Sequence, residues 1–370
     1  MKLKLNFAAL FLFVTVVGSL SAYAAAAGTV YTETNSSNQN AILVFSRMET
    51  GQLFSATVGA VLTGGVGSGT GLASQGALAI DPSNTFLFAV NAGSNNISTF
   101  RITEQGLSLI GVTSSNGSNP ISLTVNHNIL YVLNDGGAVG GVDTIAGFSV
   151  DDGGRLTSIV SGLQLSAASV GPAEISFNPD GNLLVVTEKD TNDIDVFTVG
   201  QNGVASGPTI VPSAAQTPYG FAFGKRNQVI VSDAVGGAGG AGAVSSYAAS
   251  TNGTLQTITG AAADGQTAPC WIVLTSDGRY AYTTNTGSGS VSSYSVAFDG
   301  TLGLLNSVAA NTGSGSSPID EAISNDSRYL YVLAPGGGNI QAFTIALDGS
   351  LAPLSQTPVR LSSAGGLVAR

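Results

Sequence analysis

The stretch APCWIVLTSDGRYAYTTN, residues 268–285, contains two runs of alternating bulky apolar residues separated by a Ser-Asp-Gly segment. Alternation with a period of two is typical of β-strands, and Ser, Asp and Gly are the residues that tight turns use. A polar residue, Asn285, ends the second run. The stretch therefore predicts a strand–turn–strand unit that begins at Pro269.

This unit recurs along the chain with a spacing of roughly 48 residues. Its six starting positions are Gln75, Pro120, Pro172, Pro218, Pro269 and Pro318. Each copy continues into a third strand with an aromatic residue near its end, and a glycine-containing turn then opens a fourth strand. Four short strands per repeat are typical of a β-propeller blade.

The two ends of the chain supply the pieces of one further blade. Residues 30–35 resemble a second strand that lacks a first, and residues 365–369 resemble a first strand that lacks a second. Pairing them closes the ring and removes an open sheet edge. The prediction is an all-β fold: a seven-bladed β-propeller of four-stranded antiparallel blades, spanning residues 28–370 and closed by its C-terminal strand.

The first 24 residues have the pattern of a signal peptide. Lys2 and Lys4 precede an apolar run over residues 7–17, and Ala22-Tyr23-Ala24 matches the small-x-small cleavage pattern. We expect cleavage after Ala24, with Ala27 as the alternative. The run is too short to span a membrane, which takes about 20 residues. We therefore expect a secreted or periplasmic protein without a membrane span.

Composition excludes several classes of function. Only 9% of the residues are charged and the formal net charge is −10, so a nucleic-acid-binding surface is not expected. One cysteine, Cys270, leaves no intrachain disulfide, and one histidine, His127, leaves no multi-histidine metal centre. We expect a monomer that needs no cofactor.

Three stretches resemble the lactonase-type seven-bladed propellers: FNPDGNLLVV at 177–186, LTSDGRYAYTTN at 274–285 and ISNDSRYLYVL at 323–333. That family includes bacterial 6-phosphogluconolactonase and the fungal carboxymuconate-lactonising enzymes, and YVTN-type repeat propellers are related to it. The resemblance implies a small-molecule lactone as substrate, with His, Arg and Glu on the inner strands. The inner-strand starts of this chain contain no His or Arg, so no family catalytic residue is carried over.

Polar residues should gather on the face where first strands start and second strands end. We predict a site there with Glu174 and Glu188 as a catalytic acid–base pair. The predicted ligand-binding residues are Asn91, Asn134, Asp233, Trp271, Asn285, Asp320 and Glu321. Glu321 stands out because the matching positions in other repeats are apolar. Two alternatives remain open: the oxygens bind Ca²⁺, or the strand-end residues only satisfy backbone groups in turns.

Two functions follow from these observations. The favoured interpretation is an exported, noncatalytic or degenerate lactonase-like propeller that binds a carbohydrate, a lactone or a protein partner around the central channel. The alternative is a lactone hydrolase or cycloisomerase with a carboxylate-based site, which rests on the family resemblance.

Overall fold

A computed structural model of the chain describes residues 26–370. The predicted signal peptide, residues 1–24, lies outside the described residues. From Ala26 onward the chain forms 28 β-strands and four three-residue 3-10 helices. None of the helical segments within 26–370 is long enough to cross a membrane.

The strands form seven four-stranded antiparallel sheets, numbered here as blades 1 to 7 in chain order. Blade 1 consists of β4 (Leu78–Ile80), β5 (Phe86–Asn91), β6 (Asn96–Thr103) and β7 (Gly106–Ser114). Blade 2 consists of β8 (Pro120–Asn126), β9 (Ile129–Asn134), β10 (Thr144–Val150) and β11 (Leu156–Gln164). Blade 3 consists of β12 (Pro172–Phe177), β13 (Leu183–Glu188), β14 (Asp193–Val199) and β15 (Ala205–Pro212). Blade 4 consists of β16 (Pro218–Phe223), β17 (Gln228–Asp233), β18 (Ala243–Ala249) and β19 (Leu255–Ala263). Blade 5 consists of β20 (Pro269–Leu274), β21 (Tyr280–Asn285), β22 (Ser290–Val296) and β23 (Leu302–Asn311). Blade 6 consists of β24 (Glu321–Ile323), β25 (Tyr329–Ala334), β26 (Asn339–Ile345) and β27 (Leu351–Pro358). Blade 7 joins β28 (Gly365–Ala369) to β1 (Ala26–Glu33), β2 (Ala41–Met48) and β3 (Leu53–Leu62).

The predicted fold is confirmed, including the closure of the ring. The last strand, β28, pairs with β1, so that Val30 lies opposite Ala369 and Tyr31 opposite Val368. Thr29 and Arg370 exchange two backbone hydrogen bonds of 3.1 and 2.9 Å beyond the last paired residues. The blade that contains both ends of the chain is therefore a complete sheet of the same form as the other six.

Apolar side chains from the facing sheets of neighbouring blades form the core. Between blades 1 and 2, for example, Phe88 and Val90 pack with Leu130 and Val132, all fully buried. Tyrosine hydroxyls add a polar link between neighbouring blades. Tyr131 donates to the carbonyl of Gly203 at 2.7 Å, and the equivalent bonds run from Tyr282 to Gly349 and from Tyr331 to Gly51 at 2.9 Å each. This packing fixes the inner strands around a central channel.

Candidate functional site

A cavity of about 220 Å³ lies where the inner strands begin, at the end of the channel called here the mouth. Its walls are the segment Gly71–Ser74, the aromatic pair Tyr219 and Trp271, and the residues Ile319–Asp320 and Gly365. Pockets for drug-sized ligands measure roughly 300–1,000 Å³. The mouth therefore fits only a small ligand.

The aromatic wall of the mouth is held rigidly. The rings of Tyr219 and Trp271 lie 5.1 Å apart and are tilted by 51°. The indole N–H of Trp271 donates to the carbonyl of Ser74 at 3.0 Å, and Trp271 is 4% exposed. Its position follows from the register of β20, in which Trp271 is the third residue of an inner strand. The structure thus places the predicted Trp271 at the mouth.

Asp320 borders the same cavity and is 3% exposed. Its Oδ2 accepts the amide of Gly366, in the ring-closing strand β28, at 2.8 Å. Burial raises the pKa of Asp320 to about 7, although the amides of Gly366 and Gly76 act in the opposite direction. A carboxyl group with such a pKa exchanges protons near neutral pH, which suits general acid–base chemistry.

Glu174 lies on β12, and its Oε2 accepts the amide of Phe221 from the neighbouring blade at 2.6 Å. Burial raises the pKa of Glu174 well above its usual range, and the charge of Asp320 raises it further. Ser122 plays the same role one blade earlier by accepting the amide of Ile175 at 3.2 Å. One Glu174 oxygen therefore links two inner strands.

Glu188 lies in the interior of blade 3 and is fully buried. Its oxygens accept hydrogen bonds from the hydroxyls of Ser166 and Thr191, both at 2.6 Å. Asp195 is its acidic neighbour: burial, followed by the hydrogen bond to Glu188, raises the pKa of Asp195 to about 8. Glu174 and Glu188 thus have separate sets of partners.

Four of the predicted ligand-binding residues are second-strand ends with no exposed surface: Asn91, Asn134, Asp233 and Asn285. Asn91 donates to Asn96 and Ser98 at 2.7 Å each and accepts from Asn40 and Thr63. Asn285 donates to Ser290 and Ser292, and Asp233 accepts the hydroxyl of Ser245 at 2.5 Å. Asn134 donates to the carbonyl of Ser115 at 3.3 Å. Asn91 is therefore fully satisfied within the fold, whereas the Oδ1 atoms of Asn134, Asp233 and Asn285 are buried without a hydrogen-bond partner in residues 26–370.

Glu321 is 97% buried on β24, and neither carboxyl oxygen has a hydrogen-bond partner of normal geometry. Burial raises its pKa well above the usual range, the charge of Asp320 adds to this, and the amide of Thr284 opposes it. A buried ionised carboxylate without partners is very costly, so this group is held in its protonated form.

Two residues of the mouth were missed by the sequence reasoning, Lys189 and Tyr219. The ammonium of Lys189 donates to the carbonyls of Ala73 and Pro172 at 3.0 and 2.7 Å and lies 5.0 Å from the ring centre of Tyr219. Burial lowers the pKa of Lys189 and raises that of Tyr219. The available signal was position, since Lys189 directly follows a second strand and Tyr219 follows a repeat-initiating proline.

Two other cavities in the described part of the chain lie away from the mouth. The cavity that touches His127 lies on the opposite face, as expected from its turn position, and one of about 610 Å³ lies beside the first described residues, Ala27–Thr29. Within residues 26–370 no three His, Cys, Asp or Glu side chains converge as a metal-binding group.

Comparison with known proteins places this geometry in a family. The model of the family described as lactonase, seven-bladed β-propeller, matches residues 29–138 and 234–366. No curated protein matches the sequence.

Solved structures share the fold at low sequence identity. A candidate 6-phosphogluconolactonase of Bacteroides fragilis is 20% identical with a TM-score of 0.69, over 93% of this chain and 98% of the other. The periplasmic gluconolactonase of Pseudomonas aeruginosa is 18% identical with a TM-score of 0.72, over 91% and 97%. A protein of Lactobacillus plantarum is 15% identical with a TM-score of 0.74, over 93% and 99%. With the family model matching most of the sequence and the seven blades closed as described, the chain belongs to the lactonase family of seven-bladed β-propellers.

Proposed function

We propose that this protein binds a small, uncharged, hydroxyl-bearing ring, such as a sugar or a sugar lactone, at the mouth without turning it over. The observation that carries the proposal is the cavity itself, which is bordered by the aromatic pair Trp271 and Tyr219 and by the acidic residue Asp320. An aromatic face packs against the apolar face of a sugar ring, and a carboxyl oxygen accepts hydrogen bonds from its hydroxyls.

The electrostatics of the mouth favour a neutral ligand over a phosphorylated one. Phosphate recognition normally uses Arg or Lys groups with free donors. Here Lys189 already donates to two backbone carbonyls, while Asp320 lines the cavity. Two structural neighbours are named as a 6-phosphogluconolactonase and a gluconolactonase, and the unphosphorylated lactone implied by the second name is the better match to this site.

One observation supports lactone hydrolysis as a second candidate function. Asp320, with its pKa of about 7, could accept a proton from a water molecule that attacks the lactone carbonyl carbon above that pH. The Tyr219 hydroxyl, whose pKa burial raises well above 10, stays protonated and is available to donate to the carbonyl oxygen. The reaction consumes one water and yields the open hydroxy acid.

Ligand binding at the mouth can be measured by the fluorescence of Trp271, because the chain contains a single tryptophan. We expect D-glucono-1,5-lactone and D-glucose to change the emission of the wild type saturably. At about pH 8, above the pKa of Asp320, Asp320→Asn should weaken binding about tenfold, because a carboxylate acceptor is replaced by a neutral amide. Asp152→Asn, an exposed carboxylate outside the mouth, is the matched control. An emission spectrum unaffected by the whole panel of neutral rings would overturn the binding proposal.

Turnover of the same lactones distinguishes the two candidate functions. Hydrolysis by the wild type that is lost in Asp320→Asn would replace the noncatalytic proposal with the enzymatic one. The predicted catalytic pair is tested alongside by Glu174→Gln and Glu188→Gln. Loss in either variant, with the fold intact, would assign the chemistry to that carboxylate instead.

We propose in addition that the mature protein acts outside the cytoplasm as a cofactor-free monomer. The signal-peptide pattern of residues 1–24 supports the export part of this proposal. Mass spectrometry of the exported protein should give an N-terminus at Ala25 or, at the alternative site, Gly28. Retention of Met1 in the cytoplasmic fraction would contradict export, a dimer mass in light scattering would contradict the monomer, and a rise in Tm with Ca²⁺ would support the calcium alternative.

A further inference from the structure

The segment Thr70–Gln75, called here the strap, runs across the mouth on its way from blade 7 to blade 1. It is anchored to three other places on the ring. Asn35 of blade 7 donates to the carbonyl of Thr70 at 2.5 Å, the Ser74 hydroxyl donates to the carbonyl of Ile121 in blade 2 at 2.8 Å, and the Gln75 amide donates to the carbonyl of Ala173 in blade 3 at 3.1 Å.

The Gln75 side chain continues across the channel to blade 5. Its Nε2 donates to the carbonyl of Ile272, and its Oε1 accepts the amide of the same residue, both at 3.0 Å. Gly220 of blade 4 leaves the space for this crossing, since a Cβ there would lie 2.2 Å from Gln75 Oε1. Five other repeats have proline where this one has Gln75. Proline has neither the amide hydrogen nor the side chain for these contacts.

The strap also departs from the backbone pattern of blades 2 to 5. In blades 2 to 5 the carbonyl before the first proline accepts the amide that follows the second strand of the same blade. The donor and acceptor pairs are Asp135 to Asn119, Lys189 to Gly171, Ala234 to Thr217 and Thr286 to Ala268. In blade 1 the equivalent carbonyl, that of Ser74, instead accepts the indole N–H of Trp271 from blade 5. The strap has therefore exchanged contacts within its own blade for contacts across the channel.

The strap also accepts a hydrogen bond from Lys189, the one cationic side chain that the described residues place at the mouth. The Lys189 ammonium donates to Ala73 of the strap and to Pro172, and it lies over the Tyr219 ring. The charged groups that act on Lys189 are the carboxylates of Asp135, Asp190 and Asp143, and the Cys270 thiol, whose pKa burial raises to about 11, also lies near it. Two of its three hydrogens are donated to carbonyls and the Tyr219 ring lies beside it, which reduces its capacity for an incoming anion.

We propose that the strap determines the ligand class of the mouth. By crossing the channel at Gln75 and engaging Lys189 through Ala73, it makes the mouth a shallow, closed-ended pocket that accepts neutral rings and rejects phosphorylated ones. Gln75 acts as a positioning residue, because it holds Ala73 and Ser74 against Lys189 and Trp271. The inference rests on the proposed function for the identity of the ligand, but the placement of the strap is tested without any ligand.

The test uses Gln75→Ala, the milder Gln75→Glu, and Gln105→Ala as a matched control at an exposed glutamine on the opposite face. Trp271, the sole tryptophan, reports on the strap directly. We expect red-shifted emission and faster acrylamide quenching in Gln75→Ala, an intermediate effect in Gln75→Glu, which keeps an acceptor but loses the donor to Ile272, and wild-type behaviour in Gln105→Ala. Wild-type emission and quenching in both Gln75 variants would overturn the role of Gln75.

Inorganic phosphate then tests the selection against anions. Release of the strap frees Lys189, so we expect Gln75→Ala to bind phosphate at least about tenfold more tightly than the wild type. The double variant Gln75→Ala/Lys189→Met should lose that gain. A displaced strap without any gain in phosphate affinity would overturn the proposal that the strap makes the mouth reject phosphorylated ligands. Failure of the wild type to bind gluconolactone, with these results intact, would remove the proposed function alone.

Discussion

The two sets of polar residues that point toward the same face of the ring have different environments. The second-strand ends, represented by Asn91 and Asp233, are fully buried and make their hydrogen bonds within the protein, although Oδ1 of Asp233 has no partner in the described residues. The first-strand starts, represented by Trp271 and Asp320, are also buried, at 4% and 3% exposure, but they border the cavity. Closeness to the channel in the repeat is therefore insufficient to define a site, because the register of each strand decides which side chains reach the mouth.

The contrast assigns different roles to chemically similar groups. Asn91 makes four hydrogen bonds within the protein, so it stabilises the junction of blades 7 and 1. Asp320 uses one oxygen for the Gly366 amide while its residue borders the cavity. Substitutions at the second-strand ends should mainly change stability, and those at the first-strand starts should mainly change binding.

The largest effect is expected from removing a whole first strand. Deleting residues 365–370 removes β28, exposes the edge of β1 and takes the Gly366 amide from Asp320. We expect the truncated chain to lose cooperative unfolding, measured by calorimetry and by circular dichroism. The point variant Val368→Ala, which keeps the backbone pairing, is the control and should melt cooperatively. A truncated protein with the original Tm would contradict ring closure as a source of stability.

A second-strand end comes next in size. Asn91→Ala leaves the donors Asn40 and Thr63 and the acceptors Asn96 and Ser98 without their partner. We expect a loss of about 3 kcal/mol in the free energy of unfolding, measured with urea, because buried polar groups become unsatisfied. Binding of neutral rings at the mouth should stay within about twofold of the wild type. A stable variant that has lost binding would reverse the proposed division of roles.

Glu321 differs from its equally buried neighbour Asp320, because neither of its carboxyl oxygens has a hydrogen-bond partner among the described residues. The matching positions in other repeats include Leu78, Leu123 and Ile272. We expect Glu321→Leu to stabilise the protein by about 1–3 kcal/mol, because an unsatisfied polar group is replaced by an apolar one of similar volume. Tm by calorimetry is the measurement. Destabilisation in Glu321→Leu but not in Glu321→Gln would indicate a required polar partner.

The smallest predicted effect is a pH dependence that separates the buried acids from exposed ones. Burial raises the pKa of Asp233 and Asp320 to about 7 in the folded protein, whereas both titrate near 3.8 when unfolded. Between these values the folded chain holds protons that the unfolded chain has released, so stability falls as pH rises. We expect Tm to be several degrees higher at about pH 5 than at about pH 8.

The variant Asp233→Asn tests whether Asp233 contributes to this dependence of Tm on pH. The variant should flatten the dependence of Tm on pH by the share of one proton, whereas Asp152→Asn, at an exposed position, should leave it unchanged. A Tm that rises steadily from about pH 5 to about pH 8 in the wild type would show that these carboxyl groups are ionised in the folded state.

The fold was predictable because the same strand pattern recurs along the sequence. The alternation seen in residues 268–285 returns in every blade, and the incomplete pieces at residues 30–35 and 365–369 could only be satisfied together. The mouth was harder to predict, because Lys189 and Gln75 act through backbone carbonyls of distant segments. The substitution of Gln75 for proline was visible in the repeat, but its crossing of the channel depends on the space at Gly220, which only the structure shows.

The pairing of β28 with β1 has a consequence for how this chain can be rearranged. Both ends of the described polypeptide lie side by side in one sheet, and Thr29 and Arg370 bond to each other. A circular permutant that links these ends through a short flexible connector and begins instead at the exposed turn around Asn252 should form the same ring. The order of blades along the gene is then free to change while their order in space is retained.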